Sequence, residues 1–207
     1  MPRECTESCR AHPENARRSC RASWSRQSAC AALGVALLLC ASTARTQDVT
    51  EPSLKAAFIY NFAKFTEWPT ESLPATAVFT ACVLGDGPVS DALVRAIKGR
   101  QLGGRQMSVL HVQMDGAVRS CHLLYVAGMT ATQVSAVLTA ARGAPILTIS
   151  DADDFIQLGG IARMFVVQGK MRFEFNLDVA RRSKLQLSSQ LLALAAHVYD
   201  SSVARPR

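Results

Sequence analysis

Apolar residues in the segment EPSLKAAFIYNFAKFTEW (51–68) fall at Leu54, Ala57, Phe58, Phe62 and Phe65, with Ile59 and Ala63 alongside. That spacing predicts a helix with a broad apolar face. Pro52 sits where a first turn tolerates it, and Pro69 ends the helix, leaving Trp68 at its exit. The stretch 77–84 (AVFTACVL) is short, apolar and partly β-branched, and predicts a buried strand. Gly85-Asp-Gly-Pro88 follows as a turn, and Val89, Leu93 and Ile97 mark a second helix. Gly103-Gly104 breaks the chain before a strand over 107–112. A third strand is predicted over 121–127, a helix over 132–141 and a fourth strand over 145–149. Ser150-Asp-Ala-Asp-Asp154 has the signature of a cap leading into a short helix.

After Gly159-Gly160 the pattern changes. Residues 161–167 and 170–176 flank a tight Gln168-Gly169 turn, and the second run alternates strictly, Phe173 and Phe175 against Arg172 and Glu174. This predicts a β-hairpin. Helices are predicted over 177–183 and 188–199. Strands alternating with helices imply parallel crossovers with helices on both faces of a sheet. The expected fold is a single three-layer α/β domain over 53–200. Its central sheet is mostly parallel and ends in a C-terminal β-hairpin. Residues 45–52 read as a flexible N-terminus and 201–207 as a disordered tail.

The first 44 residues are different in kind. They carry six arginines against three glutamates, then the apolar run 31–41 and the small residues Ser42-Thr43-Ala44. Basic, apolar and small segments in that order predict a secretory signal peptide, cleaved at or near Ala44. The apolar run is too short to span a bilayer. The chain is therefore expected to be exported, without a membrane span after processing. The leader also explains part of the net charge of +7, because from Arg45 onward seventeen basic residues face thirteen acidic ones. No basic cluster longer than Arg181-Arg182 occurs there, which argues against nucleic-acid binding.

Five of the seven cysteines lie in the leader, and the remainder keeps Cys82 and Cys121. Two cysteines in an exported domain usually pair. Such a bridge would close a loop of about 40 residues, worth roughly 3–4 kcal/mol on the chain-entropy model.

Catalytic chemistry finds no motif. Gly-x-Ser-x-Gly, Gly-x-Gly-x-x-Gly and Walker sequences are absent. His111, His122 and His197 lie on separate elements without metal spacing, so neither a metal nor a cofactor is expected. Two features remain. Asp86, in the turn after the first strand, and Asp151, after the fourth, fall where α/β folds place ligands. Asp151, Asp153 and Asp154 equally suit the positive end of a helix. Tyr60 and Trp68 stand apart from the main apolar stripe and are candidates for a partner-binding patch.

The blocks Leu54–Pro69, Cys82-Val-Leu-Gly85, Cys121-His-Leu-Leu-Tyr125 and Leu147-Thr-Ile-Ser-Asp151 resemble motifs of the YfiR family, also called DUF4154. So do Phe155 with Gly159-Gly160, Arg172-Phe-Glu-Phe-Asn176 and Leu185–Leu192, in the family's order. The resemblance implies an exported regulator. The best-known member of the family is a dimer with redox-sensitive disulfides. It holds an inner-membrane diguanylate cyclase inactive by acting on its periplasmic part. The expected partner is thus the periplasmic domain of a membrane cyclase or sensor, with a homodimer as a further expectation. Cys82 and Cys121 match one disulfide pair of that member, whose second pair has no counterpart here. No catalytic residues accompany the family. A different expectation is a periplasmic small-molecule binding module built on Asp86 and Asp151.

Overall fold

The computed structural model describes residues 50–114 and 118–202. The leader expected over 1–44 lies outside the described residues, as do 45–49 and 203–207. The first helix, α1 (Glu51–Lys64), buries Ala56, Ile59, Phe62 and Ala63. It stops at Lys64, four residues short of the expected Trp68. The Thr66 hydroxyl donates back to the Phe62 carbonyl at 2.7 Å. Thr66–Glu67 (β1) then pairs antiparallel with Gln186–Leu187 (β9). A contact with residues far along the chain overrides the local helical pattern.

The remaining strands form one sheet. They are β2 (Phe79–Leu84), β3 (Gln101–Leu102), β4 (Arg105–Val112), β5 (Leu123–Val126), β6 (Leu147–Ser150), β7 (Ala162–Val167), β8 (Lys170–Asn176) and β10 (His197–Tyr199). Among the described residues they lie in the order β10-β8-β7-β6-β5-β2-β4-β3. From β7 to β4 the strands are parallel; β8 runs antiparallel to β7, and β3 antiparallel to β4. The sequence places the hairpin at 161–176 correctly. Its two turn residues, Gln168 (φ 50°) and Gly169 (φ 72°), are both left-handed, the conformation whose twist matches a two-residue hairpin.

The near-continuous apolar strands are explained by two cores. Ala81 and Val83 of β2 and Leu123 and Tyr125 of β5 face a larger core under α1 and α2 (Pro88–Ile97). Cys82, Leu84, Leu124 and Val126 face a second core under α3 (Ala131–Ala141) with Phe155. A strand buried on both faces has no polar side to alternate with. Helix α3 starts in a capping box: the Thr130 hydroxyl accepts from the Gln133 amide, and the Gln133 side chain accepts from the Thr130 amide at 3.0 Å. The described residues form a single α/β domain with helices on both faces of its sheet.

Two expectations are corrected. Residues 153–159 form turns rather than a capped helix. The Ser150 hydroxyl is occupied, donating to the Val126 carbonyl at 2.8 Å and accepting from the Ala152 amide. Phe155 is fully buried, and a Cβ on Gly160 would come within 2.2 Å of its ring. Anchoring this aromatic sets the path of the segment. The helix expected over 188–199 is only α5 (Ser189–Ala193), after which the chain extends as β10, parallel to β8. The Ala196 amide donates to the Phe173 carbonyl at 2.8 Å, so β10 takes up the edge of β8 that a longer helix would have left open. The remaining helix, α4 (Leu177–Arg182), starts at Asn176, whose side chain accepts from the Val179 amide.

Candidate functional site

The chain runs from β2 through α2 to β4 on one side, then returns to β5 on the other side of β2. This makes the carboxyl ends of β2 and β5 the topological switch point, where open α/β sheets place ligands. Here the backbone itself closes the crevice. Gly85 has φ 91°, and a Cβ there would lie 2.1 Å from the Ala127 carbonyl oxygen. The Ala127 amide donates to the Leu84 carbonyl at 3.0 Å, and the buried Ser90 hydroxyl donates to the Gly85 carbonyl at 3.2 Å.

Asp86 lies outside this seal, exposed on a shallow groove of about 520 Å³ with Pro52, Asp91, Arg95 and His111. Asp151 is one strand further along, beyond β5, and is already engaged. Lys55 of α1 reaches it at 2.7 Å and also pairs with Glu51 at 3.1 Å. The Lys55 side chain is only 11 % exposed. Burial by itself lowers its pKa, but the hydrogen bonds and charges of Asp151 and Glu51 outweigh burial and raise it. Below the pair, burial first and the Asp151 charge second push the Tyr125 phenol well above its ordinary value. Asp86 and Asp151 thus occupy separate settings, one free and one neutralised by α1.

Tyr60 and Trp68 are half-buried against the larger core. The Tyr60 hydroxyl donates to the Gln101 carbonyl at 3.3 Å, and its ring carries the Arg100 guanidinium at 4.9 Å. The Trp68 indole nitrogen donates to the His122 carbonyl at 3.2 Å, and its ring meets Phe79 edge-on. Cys82 and Cys121 are joined in a disulfide with Cα atoms 5.7 Å apart. Both are buried, and the bridge ties β2 to the segment leading into β5.

Three features carry no signal in the motif search. The first is an apolar groove of about 280 Å³ between α1 and α5, lined by Phe58, Phe62, Phe65, Phe173, Leu191 and Leu194. Leu194 is 72 % exposed. The apolar surface therefore lies one helical face away from Tyr60 and Trp68. Spacing hints at Phe58 and Phe65, but Leu194 joins them only through tertiary contact.

The second is a charged network on the sheet. Arg163 of β7 pairs with Glu174 of β8 at 3.2 Å and also reaches Asp153. Tyr199 of β10 donates to Glu174 at 3.4 Å, and the Arg163 Nε is buried without a partner. Counting outwards from the Gln168-Gly169 turn already sets Arg163 opposite Glu174, a signal present in the sequence.

The third is His122. Its Nδ1 accepts from the Thr80 amide at 3.0 Å, and its Nε2 faces the Ser72 carbonyl at 3.2 Å. The ring is therefore neutral, with its proton on Nε2. Burial, with a smaller contribution from Arg105, lowers its pKa against the opposing pull of the Ser72 carbonyl.

Among the described residues, no group of His, Cys, Asp and Glu side chains is arranged to hold a metal ion.

The crystal structure of a conserved domain protein from Vibrio cholerae O1 biovar eltor is similar at 13 % identity and a TM-score of 0.46, over 72 % of this chain and 60 % of that one. The ABC domain from Streptococcus pneumoniae, solved in complex with L-Trp, is similar at 11 % identity and a TM-score of 0.45, over 68 % and 60 %. The chain spans 60 % of the length of each of these structures. Residues 52–196 match the family described as YfiR/HmsC-like, a span that runs from the first turn of α1 to the residue before β10. With that match over most of its length, the chain belongs to the YfiR/HmsC-like family.

Proposed function

We propose that this protein is an exported, non-enzymatic regulator that binds the periplasmic part of an inner-membrane signalling protein and restrains a diguanylate cyclase there. The observation that carries the reading is the family match over residues 52–196. The signal-peptide pattern of residues 1–44 and the Cys82–Cys121 bridge support export to an oxidising compartment. No helix among the described residues is long and apolar enough to cross a membrane. The groove at Phe58, Phe65 and Leu194 supplies apolar surface for such a contact. The mechanism is a population shift: binding favours the inactive cyclase only by its tighter affinity for that state.

The test is co-expression with a membrane diguanylate cyclase encoded beside this chain. The expected result is capture of the cyclase's periplasmic domain by the processed chain and a fall in cellular cyclic-di-GMP. Deleting residues 1–44 should abolish both. An unchanged cyclic-di-GMP level together with no capture would overturn the reading. The alternative of a small-molecule module on Asp86 and Asp151 has less support, because Lys55 already neutralises Asp151.

A further inference from the structure

Charge is divided along the strand axis. Asp86, Asp151, Asp153 and Asp154 follow the carboxyl ends of β2 and β6. At the opposite end, where β6 and β7 begin and β8 finishes, α3 and α4 come to their C-termini with Arg142 and Arg182. Arg119, from the turn Val118–Ser120, donates to the Arg142 carbonyl at 3.5 Å and adds a third cation. Among the described residues no ion pair engages the Arg142 or Arg182 guanidinium.

The two arginines stand over a cavity of about 580 Å³ between α3, the start of β6 and α4. Its walls are apolar, from Leu138, Ile146, Ile161 and Val179. Its floor is not wholly so. Ser183 is 6 % exposed and lines the cavity with its hydroxyl group. Thr148 is 4 % exposed; its hydroxyl oxygen accepts from the Ile161 amide at 3.0 Å, which leaves the hydroxyl proton free to donate.

We propose that this cavity binds a small organic carboxylate with an apolar body. The guanidinium groups supply planar, charge-assisted donors matched to a carboxylate. The apolar walls take up the body of the ligand, and the Ser183 and Thr148 hydroxyls supply donors below. A cation is excluded by the arginines, and a fully apolar ligand would leave the hydroxyls unmet. The site lies at the end of the sheet away from Asp86 and Asp151 and is independent of the regulatory reading. A chain that captures no membrane protein would bind such a ligand equally well.

Isothermal titration of the processed chain with 2-naphthoate, and in parallel with the uncharged 2-naphthamide, tests this. The expected result is saturable binding of one naphthoate per chain, weakened by added salt, with the amide bound at least about tenfold more weakly. The double variant Arg142→Gln/Arg182→Gln should lose about tenfold in naphthoate affinity at an unchanged melting temperature, since both side chains are exposed. Ser183→Ala should lose a smaller factor. Absence of saturable binding, equal binding of acid and amide, or a folded double variant that binds as the parent does would each overturn the proposal.

Discussion

The indole nitrogen of Trp68 donates its proton to the main-chain carbonyl of His122 over 3.2 Å, and the His122 ring stacks on the Phe79 ring that Trp68 meets edge-on. The contact joins the residue that follows β1 to the entry of β5. His122 follows Cys121 directly, so the aromatic clamp and the disulfide hold the same stretch of chain.

His122 makes stability depend on pH. Its Nδ1 must be unprotonated to accept from the Thr80 amide, and its folded pKa lies below the ordinary value of 6.5. The unfolded state therefore binds a proton first as pH falls. The contribution of His122 is full above about pH 6.5, declines as pH drops below that value, and is lost once pH passes the folded pKa. Urea midpoints measured from pH 8 to pH 5 should fall. A His122→Gln variant, less stable at pH 8, should show a flatter profile. Equal slopes for the two proteins would refute the assignment.

The disulfide joins residues 39 apart in sequence, both buried. Replacing Cys82 and Cys121 together by serine should lower unfolding free energy by roughly 3–4 kcal/mol while leaving the far-ultraviolet dichroism native. Reductant acting on the folded parent should break the bridge only slowly, because the sulfurs must first be exposed by opening. Thiol labelling kinetics with and without urea would reveal this. Rapid reduction in the absence of denaturant would contradict the buried placement.

Gly85 and Gly169 separate two costs of a side chain. Both have left-handed backbones, but only at Gly85 would a Cβ meet another atom, the Ala127 oxygen at 2.1 Å. Gly169→Ala should cost about 1 kcal/mol from backbone strain alone. Gly85→Ala should cost at least about 2–4 kcal/mol, because the seal between the β2 and β5 loops must open. Denaturant unfolding of the two variants distinguishes these figures.

Glu174 and Arg163 form a pair in which the carboxylate is almost fully buried. Glu174→Leu leaves the guanidinium with the exposed Asp153 as its remaining acidic partner, and about 2–4 kcal/mol should be lost. Adding Arg163→Met removes the uncompensated charge and should recover most of that loss. A double variant no more stable than Glu174→Leu would show that the pair matters for packing instead.

Leu194 tests the proposed partner groove without disturbing the core. It is largely exposed, so Leu194→Asp should leave the melting temperature unchanged within a few degrees. If the groove carries the contact with the membrane protein, the same variant should lose capture at least tenfold, about 1.4 kcal/mol. Unaltered capture would move the interface elsewhere.

Elements with short-range signals are legible in the residues themselves. The apolar run 77–84, the Val89–Ile97 spacing and the Gln168-Gly169 turn each act over a few residues, and an element forms within each of these stretches. The α/β class follows from their alternation. Tertiary structure alone decided the rest. Thr66-Glu67 left the helical pattern to pair with Gln186-Leu187, and His197–Tyr199 became a strand because β8 offered an open edge. The neutralisation of Asp151 by Lys55, the exposure of Leu194 beside Phe58, and the meeting of Arg142 and Arg182 over one cavity are likewise contacts between distant segments. Local spacing encodes which face of an element is apolar. It cannot encode which other element covers that face, because that depends on the free energy of all the packed surfaces together.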